Sequence, residues 1–111
     1  MTTETTSNIT QYHFSSEKDG NPLGGNSYGI GFAIGWQNGP TKQENGEFER
    51  NGAFVEEVIE AAIGRLEFYQ SSAYANDYNE AAASHLKSAI QLLLDRRKDR
   101  VSRGVYGMNA Q

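Results

Sequence analysis

Large and small side chains alternate strictly over residues 28–36, where Tyr28, Ile30, Phe32, Ile34 and Trp36 are separated by Gly29, Gly31, Ala33 and Gly35. A period of two predicts one strand, with bulk on one face and an almost bare second face. The bare face permits a ligand or another backbone to come close, and it equally suits strong twist or dense packing. A short strand is also expected over residues 11–14. The following stretch, 15–27, is rich in Gly, Asn and Ser and contains Pro22, which reads as a loop. Asn38-Gly39-Pro40 marks a turn, after which residues 41–49, with their own Asn45-Gly46 turn signal, return as an antiparallel partner.

The period then changes. Val55, Val58, Ile59, Ala62, Ile63, Leu66 and Tyr69 recur at helical spacing as far as Gln70, with Asn51 as the expected N-cap and Glu56, Glu57 and Glu60 where the helix dipole favours negative charge. Residues 71–75 form a connection and Asn76 caps a second helix. Its stripe is Ala82, Leu86, Ala89, Ile90, Leu93 and Arg97, and it ends near Arg103-Gly104. Two helices joined this closely should lie antiparallel. The expected fold is therefore α+β: N-terminal antiparallel β-strands followed by a C-terminal antiparallel two-helix hairpin. The chain is read as a single domain, with a disordered segment at 1–10, a β region at 11–50, the hairpin at 51–104 and a tail at 105–111. A two-helix hairpin encloses no core, so its apolar stripes call for a second subunit or the strands. A chain of 111 residues is also short enough to favour oligomerisation.

Composition narrows the chemistry. Cysteine is absent, which excludes disulfides and thiolate metal sites, and the two histidines show no metal-ligand spacing. No apolar stretch is long enough for a membrane span, and the N-terminus lacks the order of a secretory signal, so a soluble intracellular protein is expected. The net charge of −4 argues against DNA or RNA polymers as partners. That charge is unevenly spread: residues 96–103 carry +4 and the remainder −8. A compact positive spot on an acidic chain suits a small anion.

Arg96, Arg100 and Arg103, spaced four and three apart, project from one helix face. Guanidinium groups make forked hydrogen bonds to phosphate, although cations near a helix C-terminus also simply complement its dipole. Phe68, Tyr69, Tyr74 and Tyr78 bracket the helix connection. With Asn79 they form a set able to sandwich a nucleobase and read its edge, or they are the plug that closes the hairpin. Glu80 and His85 are the only pairing that suggests acid–base work, and nothing in the sequence fixes their distance. No phosphate-binding glycine loop and no nucleophile elbow is present, so no catalytic residues, cofactor or metal are expected.

Several short pieces, in order, resemble the helical-hairpin domain of the phage Thoeris anti-defence sponges, which is shared with the anti-CBASS cyclic-nucleotide sponges. They are Gln37-Asn38-Gly39-Pro40 with Lys42, Asn51-Gly52, Arg65-Leu66-Glu67-Phe68-Tyr69-Gln70, Asn79-Glu80-Ala81, and Asp99-Arg100 followed by Arg103-Gly104-Val105. The preceding strand favours the Thoeris-type branch. The resemblance implies a homo-oligomer, a dimer or hexamer, that sequesters cyclic ADP-ribose isomers made from NAD by bacterial TIR proteins. Its place would be the cytoplasm of the infected host. It implies Tyr69 as the ring-stacking residue, Asn79 as the base-reading amide, and Arg96 and Arg100 as the pyrophosphate-gripping cations. It further implies a second site for cyclic di- or trinucleotides at Arg103, Gly104 and Val105. Where the family commonly continues Thr-His after Gly107, this chain has Met108-Asn109. The rival classes are an adaptor whose basic helix end grips an acidic protein, and an enzyme that degrades the nucleotide.

Overall fold

The computed structural model describes residues 11–39, 41 and 47–104, in two compact units that meet in sequence between Phe54 and Val55. The first holds three antiparallel strands, β1 (Tyr12–Lys18), β2 (Asn21–Gly29) and β3 (Phe32–Trp36), in the order β1-β2-β3. The second holds two helices, α1 (Val55–Gln70) and α2 (Asp77–Ser102). The α+β class expected from the periodicities is what the chain adopts.

The sheet departs from the expected strands in two places. The stretch 15–27 is not a loop, since it completes β1 and forms most of β2. Lys18 pairs with Asn21 across Asp19-Gly20, whose φ values of 55° and 80° are both left-handed, the requirement of a tight two-residue hairpin. Pro22 is accommodated near the start of β2, opposite Glu17, where the register of β1 is already shifted between Ser15 and Glu17. Gly25 serves close approach: a Cβ there would collide with the Phe14 backbone carbonyl.

The alternating run 28–36 is likewise two strands and a turn. Gly29 pairs with Phe32, so Ile30 and Gly31 form the tip, with Gly31 at a φ of 93° and Ile30 fully exposed. The turn reverses the chain and puts Tyr28 opposite Ala33 on one face, while Phe32, Ile34 and Trp36 lie opposite Gly29, Ser27 and Gly25 on the other. The expected single bulky face therefore does not exist. Of the expected partner strand 41–49, residues 42–46 lie outside the described residues. The Glu49 N–H donates to the Thr41 carbonyl at 2.7 Å, and a parallel bridge joins Trp36 to Ala53.

Asn51 does not cap α1, which starts four residues later at Val55. Its side chain is used inside the first unit. Asn51 Oδ1 accepts from the Asn38 backbone N–H at 2.7 Å, its Nδ2 donates to the Asn38 carbonyl at 3.0 Å, and its own N–H donates to Gln37 Oε1 at 3.0 Å. Together with Ala53, which bonds Gly35 and Gln37 through its backbone, this clasp fastens residues 51–53 to the end of β3.

The hairpin follows its sequence signals closely. α1 ends at Gln70 as its stripe does, and Asn76 caps α2 by accepting from the Asn79 N–H at 2.8 Å. At the other end Arg103 is the C-cap and Gly104 follows with a φ of 72°. Ion pairs Glu56–Arg97 and Glu67–Lys87 join early to late and late to early positions, which fixes the helices as antiparallel. Ile63 and Ala83 are the buried apolar residues; Leu66, Leu86, Ile90 and Leu93 are half-buried. Ala83 rather than Ala82 faces inward. Phe68, Leu92 and Val101 remain more than half exposed.

Candidate functional site

Tyr69 sits one residue before the end of α1, and Asn79 sits in the first turn of α2. The connection between them is tightly built. Gln70 Oε1 accepts from the Asn76 N–H and its Nε2 donates to the Asn76 carbonyl, both at 3.0 Å. Ser71 Oγ and Ser72 Oγ donate to the Phe68 and Tyr69 carbonyls. Orphan carbonyls at the end of α1 are thereby satisfied by side chains. Both helix ends are thus held in place, with Tyr69 and Asn79 each half-buried.

The rings around this end are unequal. Tyr74 and Tyr78 are 75% and 88% exposed, which does not fit a plug. Phe68 and Tyr69 lie with ring centroids 6.0 Å apart and planes tilted by 54°. Arg65, one turn earlier on α1, reaches both. Its Nε donates to the Tyr69 hydroxyl at 3.1 Å, and its guanidinium lies 4.9 Å from the Tyr69 ring centroid and 5.0 Å from that of Phe68. Arg65 has no role in the sequence expectations; its position four residues before a tyrosine on one helix is the signal for this contact.

The arginines at the far end of α2 do not share one environment. Arg96 is exposed, Arg100 is 7% exposed, and Arg103 Nε pairs with Asp99 at 3.0 Å. Arg97 is engaged with Glu56 at 3.0 Å. Of the second set, Arg103 and Gly104 end the hairpin and Val105 lies outside the described residues. Arg96 lies seventeen positions after Asn79, a span of roughly 26 Å along α2. One hairpin therefore presents an aromatic, amide-bearing end and a cationic end that cannot touch the same small ligand.

Glu80 and His85 lie five residues apart on α2, about 140° around its axis, so they do not face one another. Among the described residues there is no cluster of three or more metal-ligating side chains, and no helix is long and apolar enough to cross a membrane. In the sheet unit, a cavity of about 300 Å³ is lined by residues that include Phe14, Asn26, Tyr28, Ala33 and Gly35. Here Tyr28 stacks between Tyr12 and Phe14, with centroids 5.4 and 5.9 Å away. Across the sheet, buried Ser27 accepts from Trp36 Nε1 at 2.8 Å and lies 2.9 Å from His13 Nδ1. Trp36 is a donor only, so the arrangement is satisfied when the Ser27 hydroxyl donates to Nδ1 and the ring proton sits on Nε2. This is a buried strut rather than an exposed nucleophile.

Comparison with known protein families and with curated proteins gives no match to this chain.

Proposed function

We propose that this protein is a phage anti-defence sponge that binds a cyclic ADP-ribose isomer made by bacterial TIR proteins and withholds it, chemically intact, in the cytoplasm of the infected host. The observation that carries this reading is the division of the hairpin into a ring-and-amide end, Tyr69 with Asn79, and a cationic end, with Arg96 exposed and Arg100 one turn on and buried, on one helical frame. A nucleotide needs both kinds of group, for its base and for its pyrophosphate. Two hairpins laid antiparallel would put each cationic end beside the ring of the other copy, making two equivalent sites around a twofold axis. A homo-oligomer is thus part of the proposal. Cyclic di- or trinucleotides at Arg103, Gly104 and Val105 are a further part of it, at a separate position.

The test is recovery. Protein incubated with the product of a TIR enzyme, separated from free nucleotide and then heat-denatured, should release the starting compound unchanged. Altered nucleotide would make the protein an enzyme, and no nucleotide would favour the adaptor reading.

A further inference from the structure

We infer that Arg65 is a positioning residue of the nucleotide site: by holding the hydroxyl and one face of the Tyr69 ring, it fixes the plane on which a base stacks. This inference rests on the sponge reading for the identity of the ligand, and on the geometry of α1 for everything else.

A tyrosine near the end of a helix has two side-chain torsions to lose when a base stacks on it, and losing them weakens binding. The contacts of Tyr69 with Arg65 restrict them before any ligand arrives. The hydrogen bond from Arg65 Nε to its hydroxyl, 3.1 Å long, holds the far end of the ring of a residue that is half-buried as a whole. The guanidinium, 4.9 Å from the ring centroid, also makes a cation–π contact with Tyr69 and a second with Phe68 at 5.0 Å. A cation over one face of a ring occupies that face, so a base would stack on the other. Among the described residues no carboxylate pairs with Arg65, although the chain carries a net charge of −4. The contacts of its guanidinium are those with the two rings.

The hydroxyl thereby acquires a role in binding that stacking alone does not give it. Stacking requires only the ring, so Tyr69→Phe would be silent if Arg65 were a bystander. With Arg65 acting through the hydroxyl, Tyr69→Phe and Arg65→Gln remove the same contact. Each should weaken binding by roughly three- to tenfold, the range for one lost hydrogen bond, and the double variant should be no weaker than the worse single one.

The probe is cyclic ADP-ribose prepared from NAD by a bacterial TIR enzyme, titrated calorimetrically into the full-length wild type, Tyr69→Ala, Tyr69→Phe, Arg65→Gln and the double variant Y69F/R65Q. Tyrosine-labelled NMR of the ligand-free proteins reports the Tyr69 ring independently of any ligand, and its resonances should shift in Arg65→Gln. The expected result is a large loss in Tyr69→Ala and two smaller losses that do not add. Losses in Tyr69→Phe and Arg65→Gln that multiply in the double variant would overturn the positioning role, because Arg65 would then be touching the ligand itself. So would wild-type affinity in Arg65→Gln while Tyr69→Ala remains defective. Wild-type affinity in Tyr69→Ala identifies a different failure, that of the nucleotide site assigned to this ring, whatever the NMR shows about its contact with Arg65.

Discussion

In the sheet unit, order comes from backbone proximity and shared polar contacts. Gly25 lets β2 press against the Phe14 carbonyl, Ser27 ties His13 to Trp36, and Asn51 clasps Gln37 and Asn38. In the hairpin, order comes from a cap, two half-buried stripes and cross-helix ion pairs. The first kind of order has few substitutable positions and depends on tolerances of tenths of an ångström. The second is spread over many weak contacts, which leaves helix-end side chains such as Tyr69 and Arg96 available for binding. Damage should therefore be concentrated in one unit and graded in the other.

The sharpest expected break is Gly25→Ala. Its Cβ would meet the Phe14 carbonyl, so β1 and β2 must part, at a cost of roughly 3 kcal/mol. Far-ultraviolet circular dichroism with a urea titration should show the loss of strand signal before that of helix. Equal stability of the variant would mean that the strands approach less closely than this.

Ser27→Ala should be the next largest. It leaves the Trp36 Nε1 proton and His13 Nδ1 without their partner in a site where Ser27 is only 3% exposed, a loss of about 2 kcal/mol. Trp36 is the chain's one tryptophan, so its fluorescence reports the change directly. An unaltered emission and melting temperature would show that the strut bears no load.

This contrast also explains what could be read from sequence. The hairpin was legible because caps and stripes are local: Asn76 and the apolar spacing from Val58 to Leu66 carry their meaning within one or two turns. The sheet was half legible. Asp19-Gly20 is a hairpin signal, but the Gly-, Asn- and Ser-rich residues around it have low strand propensity, and only pairing on both sides makes β2 a strand. Alternation over 28–36 persisted through a turn because Ile30 at the tip kept the period going. Asn51 had the right residue type for a cap, yet its partners, Gln37 and Asn38, lie across the unit where spacing cannot point to them. For the candidate site, residue types and the order of motifs were visible. The burial of Arg100 and the contact of Arg65 with Tyr69 required the fold.

The burial of Arg100 separates two arginines that spacing makes alike. Arg96→Ala and Arg100→Ala should each weaken nucleotide binding by roughly 1.5–3 kcal/mol, the worth of a hydrogen bond to a charged group. Only Arg100→Ala should also lower the melting temperature of the ligand-free protein, because its long side chain is packed away from solvent whereas that of Arg96 is exposed. Calorimetric titration and thermal melting of both variants provide the comparison. Equal melting temperatures would return the two arginines to a single surface patch.

Within the hairpin, Asn76→Ala should cost about 1 kcal/mol, the usual value of an N-cap. The Asn79 N–H loses its acceptor, so Asn79 should be repositioned and nucleotide affinity reduced along with stability. Asn76→Asp, which keeps the acceptor oxygen but loses the Nδ2 bond to the Tyr74 carbonyl, should restore part of the stability and the affinity, as measured by melting and titration. A stability loss with no change in affinity would detach Asn79 from the site.

The smallest effect is expected at Lys87→Ala. Its bond to Glu67 is 3.1 Å long, but the two side chains are 58% and 56% exposed, so solvent screens the attraction and the ordering of two long side chains offsets much of it. A loss of about 0.3 kcal/mol is expected, falling toward zero as salt is raised. The second cross-helix pair, Glu56–Arg97, is more sheltered, at 21% and 36% exposure, and its double-mutant cycle should give a larger coupling that salt diminishes less. Measured side by side at low and high ionic strength, the two cycles weigh charge against apolar packing in the hairpin. A coupling at Lys87 above about 1 kcal/mol would put ion pairs among the chief supports of the hairpin, and the graded response ascribed to this unit would then depend on ionic strength as well as on which contact is removed.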